Sequence, residues 1–208
     1  ATRYSILRRL NDESVNIMTL EDPVEYPVPR IRQTSIADGS KINFSDGIRS
    51  MMRQDPDIIL VGEVRDSDTA EMAFRAAMTG HQVFSTLHTN SAIKCIPRLK
   101  DLGVAVDVLG GNIIGIIAQR LIRRLCAACR EATIVVSGSR DAKIWGESDV
   151  GTTIYRPHPG GCDSCGHQGF AGRIAIVELL RFDAELDELI IRNATLGEMT
   201  AHALKHGF

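Results

Sequence analysis

The chain has 208 residues, enough for one domain with a smaller appended part. Hydrophobic residues make up 44% and charged residues 24%, as is typical of soluble globular proteins, and the formal net charge of -2 gives no sign of a general nucleic-acid-binding surface. The longest apolar stretch, residues 104–118, contains Asp107 and Asn112 and is not a membrane span, and the sequence shows no signal peptide.

The start of the chain predicts a helix, a strand and a proline-rich loop, in that order. Apolar residues at helical spacing over residues 4–10 predict a helix that ends at Asn11. Residues 15–20, VNIMTL, are typical of a buried strand, and the prolines of the following EDPVEYPVP exclude a helix there. An amphipathic helix follows over residues 44–54, with Ser45 as a candidate N-cap.

The next part of the chain alternates short apolar runs with helical patterns. The apolar run at residues 58–61, within QDPDIILVGEVRD, is typical of a buried strand of a parallel sheet. We predict a helix over residues 69–78, a strand over 81–88 and a helix over 92–102. This alternation predicts an α/β fold with a mainly parallel sheet, in which ligands lie at the carboxyl ends of the strands.

Polar side chains follow three of the predicted strands, in the segments TLEDPVE, VGEVRD and STLHTN. An apolar strand that ends in an acid, here Glu63, is the Walker B pattern of nucleotide-hydrolysing folds. The acids Glu21, Asp22, Glu25 and Glu63 would repel one another unless a cation or phosphate lay among them, and Mg²⁺ with a triphosphate supplies both. The alternatives are a solvated acid at a strand end, a turn with capping acids at residues 21–23, and a hydrogen-bonded core histidine at His88.

The remainder of the chain has a different sequence pattern. Residues 104–125 are predicted to be helical and to end in the basic run QRLIRRL. A polar stretch with weak periodicity follows, then a strand over residues 173–180 and two short helices within 183–206.

Four of the five cysteines form two C-x-x-C pairs, Cys126 with Cys129 and Cys162 with Cys165. Four thiolates at this spacing predict a tetrahedral, structural zinc site, with a redox dithiol or chance pairing as alternatives. The nearby His158 and His167 could replace a ligand, but four cysteines leave no vacancy. The remaining cysteine, Cys95, is expected to be a small buried apolar residue.

Several strings resemble the motifs of the secretion traffic ATPases. TLEDPVEY, RQDPDIILVGEVRD and TGHQVFSTLHTNSA resemble the Asp box, Walker B element and His box of these hexameric RecA-like motors of type II secretion and type IV pilus biogenesis. IAQRLIRRLCAAC and GCDSCGHQGFAGRIAIVELL extend the resemblance over residues 1–182. It implies a RecA-like core over residues 1–122, a tetracysteine zinc subdomain over 123–172, and a C-terminal strand with helices over 173–208.

The resemblance also implies roles for the residues at the strand ends. Gly62 stands where many P-loop enzymes have a magnesium-binding aspartate, and Glu63 would polarise the water that attacks the γ-phosphate. His88 would contact or sense the γ-phosphate. The Asp-box acids that would hold Mg²⁺ through water, or position the nucleophile, are Glu21, Asp22 and Glu25. The residues expected to support this nucleotide and magnesium cluster are Arg65, Asp66 and Thr86.

The sequence departs from the family pattern in one respect. It contains no G-x-x-x-x-G-K-S/T phosphate-binding loop, and ATRYSILRRLN resembles the helix that follows that loop. We therefore expect these residues to be the C-terminal part of a motor and not to hydrolyse ATP alone.

For the parent motor, the resemblance implies ATP, Mg²⁺ and Zn²⁺ as cofactors. It implies a homo-hexamer that works with an inner-membrane platform protein and other apparatus proteins, in the cytoplasm at the inner membrane of a bacterium. A tetracysteine insert resembles the secretion and pilus-assembly ATPases and favours them over retraction motors.

Two functions of other classes stay open from the sequence. A non-enzymatic zinc-binding interaction module would fit the missing phosphate-binding loop. A DNA-processing RecA-like ATPase with a zinc ribbon is disfavoured by the slight negative charge and by the lack of a stripe of aromatic and basic residues. No nucleic-acid partner is therefore expected.

Overall fold

The computed structural model describes residues 2–36 and 43–208. The chain divides into two compact units, one formed by Ala1–Ala118 with Glu178–Phe208 and the other by Gln119–Val177. The sequence alone suggested a separate C-terminal part over residues 173–208. The structure instead groups residues 178–208 with the first unit, because their apolar side chains share its core.

The first unit contains a parallel sheet with the strand order β2-β1-β3-β4. Its strands are β1 (Ile17–Glu21), β2 (Arg32–Ser35), β3 (Ile58–Val61) and β4 (Gln82–Phe84). β1 pairs with β3 so that Leu20 lies beside Val61, and β3 pairs with β4 so that Leu60 lies beside Phe84. The expected α/β fold is confirmed, although β4 is shorter than the predicted strand and β2 was not predicted.

Helices cover both faces of this sheet. Tyr4 and Leu7 of α1 (Thr2–Leu10) pack in one apolar cluster with Ile58 and Leu60 of β3. Ile59 and Val61 of β3 face the other side and pack in a second cluster with α2 (Phe44–Met51) and α3 (Ser67–Met78). Successive strand residues point to opposite faces, so a strand covered on both sides reads as a continuous apolar run.

The N-cap of α2 is Asn43, whose side chain accepts a hydrogen bond from the Asp46 amide at 2.8 Å. The suggestion of Ser45 as the cap is therefore wrong, since Ser45 lies inside the helix. Asparagine and serine are both common caps, and the residue that starts the helical dihedral angles decides between them.

A further core of the first unit joins the middle of the chain to its end. Its helices are α4 (Cys95–Asp101), α5 (Val106–Leu109), α7 (Ala184–Ile191) and α8 (Leu196–Lys205). The two helices expected within residues 183–206 are confirmed, and Cys95 is buried as expected. Among the helices of the described ranges, none has the length and apolar character needed to cross a bilayer.

The helix expected over residues 104–125 is wrong for most of its length. Only α5 is helical there, and Gly115–Leu125 form strand β5, which pairs with β8 (Phe170–Arg181) in a two-stranded sheet. The basic run QRLIRRL is therefore part of a strand. Its apolar spacing fits a helix, but β-branched isoleucines and pairing with a strand distant in sequence favour the extended form.

The second unit contains the stretch between the cysteine pairs. Strand β6 (Glu131–Ile134) pairs antiparallel with β7 (Thr153–Arg156), and α6 (Arg140–Trp145) connects them along the chain. Ser139 caps α6 by accepting a hydrogen bond from the Ala142 amide. These elements are short, which explains the weak periodicity of this part of the sequence.

Candidate functional site

The three polar segments predicted to meet at the sheet edge lie side by side in the structure. The Gly62 amide donates to the Leu20 carbonyl at 2.7 Å, and the Val64 amide donates to the Thr86 carbonyl at 3.0 Å. These bonds continue the pairing of β1, β3 and β4 beyond the strand ends. Glu21, Glu63 and His88 therefore come from three adjacent segments, as parallel pairing requires.

Of these residues, Glu63 has the surroundings that best suit acid–base chemistry. Its side chain is only 11% exposed, and its carboxylate is 2.5 Å from the Arg65 guanidinium and 3.3 Å from Nε2 of His88. His88 is 82% exposed, so it is not a core histidine. A nearly buried carboxylate just after a strand, beside two exposed cationic or hydrogen-bonding groups, can accept a proton or orient a water molecule.

Glu21, in contrast, is fully buried and its oxygens are occupied by protein groups. The Tyr4 hydroxyl donates to Oε2, while Oε1 accepts from the Thr19 hydroxyl at 2.7 Å and lies 3.4 Å from the Gln33 amide nitrogen. Burial raises the pKa of Tyr4, and the Glu21 carboxylate raises it further, so the phenol stays a donor at neutral pH. In this structure Glu21 fastens α1 to β1, and a magnesium role for it stays a prediction.

Arg3 is a member of the site that sequence reasoning missed. Its guanidinium lies 3.0 Å from Oε1 of Glu25 and 3.4 Å from Oε2 of Glu21, and it donates to the Gly62 carbonyl at 3.2 Å. Its place beside Tyr4 in α1 gives no local signal, because its partners lie in β1 and in the segments that follow β1 and β3. The available hint was that Arg3 is a basic residue in the helix predicted just before the strand that leads into the acids.

Arginines, and not only a metal or phosphate, can therefore offset the repulsion among the acids. Arg3 lies between Glu21 and Glu25, and Arg65 contacts Glu63 and lies 3.9 Å from the Asp22 carboxylate. Asp22 and Glu25 are both substantially exposed, which leaves them accessible to an incoming ion. The acid cluster alone is thus weaker evidence for magnesium than the sequence suggested.

The backbone packing explains why position 62 is glycine. A Cβ added to Gly62 would lie 3.1 Å from the Leu20 carbonyl oxygen and 3.2 Å from Cα of Glu21. Both atoms belong to the backbone of β1 and cannot rotate away. A side chain at position 62 would therefore require the β1 backbone to shift by a few tenths of an ångström, and Glu63 is the first acid after β3.

Two residues assigned to the nucleotide cluster make structural contacts in the described part of the chain. Asp66 is the N-cap of α3 and accepts a hydrogen bond from the Thr69 amide at 2.8 Å. The Thr86 hydroxyl donates to the Gly62 carbonyl at 2.7 Å and so supports the backbone next to Glu63. A direct role of Asp66 or Thr86 toward nucleotide stays a prediction.

The four paired cysteines converge in the second unit. The Sγ atoms of Cys126 and Cys162 are 3.9 Å apart, as are those of Cys129 and Cys165 and those of Cys162 and Cys165. Four sulfurs bonded to one tetrahedral zinc ion at 2.3 Å would lie about 3.8 Å from each other. These three separations match a tetrahedral zinc site, and all four sulfurs lie within 4.8 Å of one another.

The backbone around Cys165 favours a thiolate. The amides of Cys162 and Gly169 each donate to its Sγ at 3.2 Å, and such backbone hydrogen bonds lower the pKa of Cys165 to about 6. At Cys129, burial and the neighbouring thiols raise the pKa to about 12, so without a cation only part of the set is ionised. A divalent cation would offset this mutual repulsion.

The ring nitrogens of the two nearby histidines contact acids instead of joining the sulfurs. Nε2 of His167 is 3.1 Å from Asp163, and Nε2 of His158 is 3.7 Å from Glu131.

A Cβ at Gly161, just before Cys162, would lie within 2.6 Å of the backbone of residues 167–169, so only glycine lets these segments meet.

Comparison with known proteins agrees with this arrangement. A family model described as "Type II/IV secretion system protein" matches residues 1–207. The chain belongs to this family. It is 46% identical over 182 residues to the "Type II secretion system protein E" of Dickeya dadantii, covering 88% of this chain and 36% of that protein. It is 41% identical over 210 residues to the "Type IV pilus assembly ATPase TfpB" of Acinetobacter baylyi, covering 99% of this chain and 35% of that protein.

A solved structure supports the fold of this secretion-family chain. The crystal structure of "the Pilus Retraction Motor PilT and Bound ADP" matches with a TM-score of 0.68 and 31% identity, over 96% of this chain and 48% of that one. The secretion-family chain thus spans well under half the length of the curated relatives, and the activity of a whole relative is carried to it only as a proposal.

Proposed function

We propose that the chain is the part of a secretion or pilus-assembly ATPase that carries the Asp box, Walker B element and His box. The parent motor would couple ATP hydrolysis to the assembly of type IV pili or type II secretion pseudopili. The observation that carries the proposal is the nearly buried Glu63 carboxylate, held at a strand end between Arg65 and His88. Relatives that are named as ATPases over nearly the full chain support it.

In this proposal Glu63 orients and deprotonates the attacking water, and ATP with Mg²⁺ supplies the reacting phosphate and neutralises its charge. Arg65 and His88 are largely exposed, so they can turn from Glu63 toward a phosphate, which would leave the Glu63 carboxylate free to accept a proton. The exposed acids Asp22 and Glu25 are positioned to accept hydrogen bonds from water ligands of a magnesium ion. Glu21 would hold the segment that carries Asp22 and Glu25 in place through its hydrogen bond with Tyr4.

The second part of the proposal is a structural zinc ion held by Cys126, Cys129, Cys162 and Cys165. The sulfur separations and the backbone donors to Cys165 support it. The ion would link two turns that are distant in sequence, and four sulfur ligands would leave it no open position for chemistry.

The context of the parent motor is also proposed. We expect a homo-hexamer in the bacterial cytoplasm, peripheral to the inner membrane, that works with a platform protein and other parts of the apparatus. The relatives' names and the tetracysteine cluster support secretion or assembly over retraction.

The activity can be tested in a chimera that joins these 208 residues to the N-terminal part of the Dickeya dadantii relative. The chimera should hydrolyse ATP, whereas the 208 residues alone should show no turnover above background, because their sequence has no phosphate-binding loop. Glu63→Gln should lower kcat at least about a hundredfold and leave nucleotide binding intact, as expected for a positioned base.

The matched control is Glu71→Gln, since Glu71 is an exposed acid of the same unit that pairs with Arg75 on α3. That variant should keep the kcat of the chimera. Equal kcat values for Glu63→Gln and Glu71→Gln would reject the catalytic role and leave Glu63 as an acid at a strand end.

A further inference from the structure

A second group of metal-ligating side chains lies in the first unit, at its C-terminal helices. It contains Asp183, His202 and His206, and one ligand atom of each residue lies within 4.8 Å of a ligand atom of both others. Asp183 is the N-cap of α7, and the two histidines are one turn apart at the end of α8. None of the three belongs to the motifs assigned to ATP hydrolysis or to the cysteine cluster.

His202 is 7% exposed, and each of its ring nitrogens faces a carboxylate. Nε2 lies 2.9 Å and 3.0 Å from the two Asp183 oxygens, while Nδ1 lies 3.5 Å from Oε2 of Glu185. A carboxylate only accepts, so the ring carries a proton on Nε2, between His202 and Asp183. That proton occupies the place that a cation bound by both residues would take.

His206 is exposed and is the third member of the group. Its Nδ1 lies 3.0 Å from the His202 carbonyl oxygen, which can only accept, so Nδ1 carries the proton and Nε2 of a neutral ring keeps its lone pair. Metal-binding histidines typically donate the second ring nitrogen to a carboxylate or a backbone carbonyl. Glu185 and the His202 carbonyl are in position to serve as those outer acceptors for His202 and His206.

We propose that Asp183, His202 and His206 form a binding site for a divalent transition-metal ion, with Zn²⁺ as the best match. Two imidazoles and one carboxylate are ligands that suit zinc, cobalt, nickel and copper, and not calcium or magnesium. The ligand atoms of a tetrahedral zinc site lie about 3.3 Å apart, so this group, whose ligand atoms lie within 4.8 Å of one another, would contract around the ion. Water can supply the fourth ligand, because Asp183 and His206 are open to solvent.

The ion would fasten the start of α7 to the end of α8. Binding of an ion at Nε2 of His202 would move the ring proton to Nδ1, where Glu185 can accept it. This prediction does not depend on ATP hydrolysis and can be tested on the 208-residue chain itself.

The experiment measures zinc in the chain after removal of any purification tag and dialysis against excess free Zn²⁺. Elemental analysis should give two zinc ions per chain, one in the cysteine cluster and one here, and His206→Gln should reduce the number to one. Calorimetry gives the affinity of the second equivalent. Glu185→Gln, which removes only an outer acceptor, should weaken that equivalent at least about tenfold.

His81→Gln is the matched control. Nδ1 of His81 contacts a helix carbonyl at 2.9 Å as Nδ1 of His206 does, but His81 belongs to none of the metal-ligating groups found among the described residues. This variant should keep both zinc ions. A wild-type content of one zinc would overturn the proposal. A second zinc that His206→Gln retains with unchanged affinity would also overturn it and identify that second ion as an adventitious ion only.

The ¹⁵N NMR signals of the histidine rings identify the ligands directly. Addition of the second zinc equivalent should shift Nε2 of His202 and His206 and leave His81 unchanged. If the shifts fall on other histidines, the site is assigned wrongly even when the stoichiometry is two.

Discussion

At the scale of single residues, the space beside β1 decides where the acid can be placed. Gly62 lies against the backbone of Leu20 and Glu21, where a Cβ would come within 3.1 and 3.2 Å of backbone atoms, and the next residue, Glu63, carries the acid. The close approach also lets the Gly62 amide bond to the Leu20 carbonyl at 2.7 Å. Glycine at this position thus favours the strand pairing that holds Glu63.

We predict that Gly62→Ala destabilises the first unit by about 1–3 kcal/mol, because the new methyl group must displace the β1 backbone. Urea unfolding followed by far-UV circular dichroism measures the change. Gly197→Ala in α8 is the control, since its Cβ would contact only Thr195 at 3.8 Å and alanine favours a helix. If both variants unfold at the same urea concentration as the parent, the space at Gly62 is less restricted than the structure indicates.

The hydrogen bond between Tyr4 and Glu21 gives a second prediction at this scale. Tyr4→Phe removes a buried donor and leaves an oxygen of the fully buried Glu21 with fewer partners, so the free energy of unfolding should fall by about 1–3 kcal/mol. Tyr26→Phe is the control, because Tyr26 stacks on Tyr4 through its ring and is 37% exposed. Both variants keep the stacked rings, so a cost for Tyr26→Phe as large as for Tyr4→Phe would show that the loss is not specific to the hydrogen bond between Tyr4 and Glu21.

At the scale of elements, α3 shows how a residue near the site can serve the fold. α3 starts directly after the segment that carries Glu63, and Asp66 caps it through the Thr69 amide. The cap fixes where the helix begins and therefore the path of the chain between Glu63 and α3. Both a cap and a nucleotide ligand would require an acid or amide here, so sequence alone does not separate them.

Substitution at Asp66 separates these two roles. Asp66→Ala should lower the free energy of unfolding by about 1 kcal/mol, whereas Asp66→Asn should be nearly neutral, because asparagine caps as well as aspartate. Thermal or urea unfolding provides the measurement, and ATP turnover of both chimeras should follow their stability. Loss of turnover in a stable Asp66→Asn chimera would instead show that its charge acts on the nucleotide.

Comparison at this scale shows what the sequence could reveal about the fold and the site. β1, β3 and α3 were predictable because buried parallel strands and capped helices leave local patterns over four to twelve residues. β5 was not predictable, since its spacing fits a helix and its partner β8 is remote in the sequence. Arg3 was missed for the same reason, because its contacts with Glu25 and Gly62 exist only after α1 has packed on the sheet.

At the scale of the whole molecule, the two units depend on different sources of stability. The first unit has several clusters of buried apolar side chains, whereas only Cys126, Val135 and Ala142 are buried apolar residues among the described residues of the second. A core this small rarely stabilises a fold without a disulfide or a metal ion. The cysteine cluster is therefore the expected source of order in residues 119–177.

We predict that removal of zinc by a chelator unfolds the second unit and leaves the first unit folded. Hydrogen exchange should lose protection in β6 and β7 and keep it in β1 and β3. Cys162→Ser should have the same effect, and Cys95→Ser is the control, because Cys95 lies outside the cluster and in the first unit. Unchanged protection of β6 and β7 in the metal-free protein would show that the second unit is stable without the ion.

Trp145 has a practical consequence for such measurements. It is the one tryptophan of the sequence, it ends α6 in the second unit, and its side chain is 61% exposed. Tryptophan fluorescence of the intact chain therefore comes from the second unit alone, while the first unit contributes no tryptophan emission. The unfolding predicted for the second unit on loss of metal should therefore change this emission in an unlabelled sample.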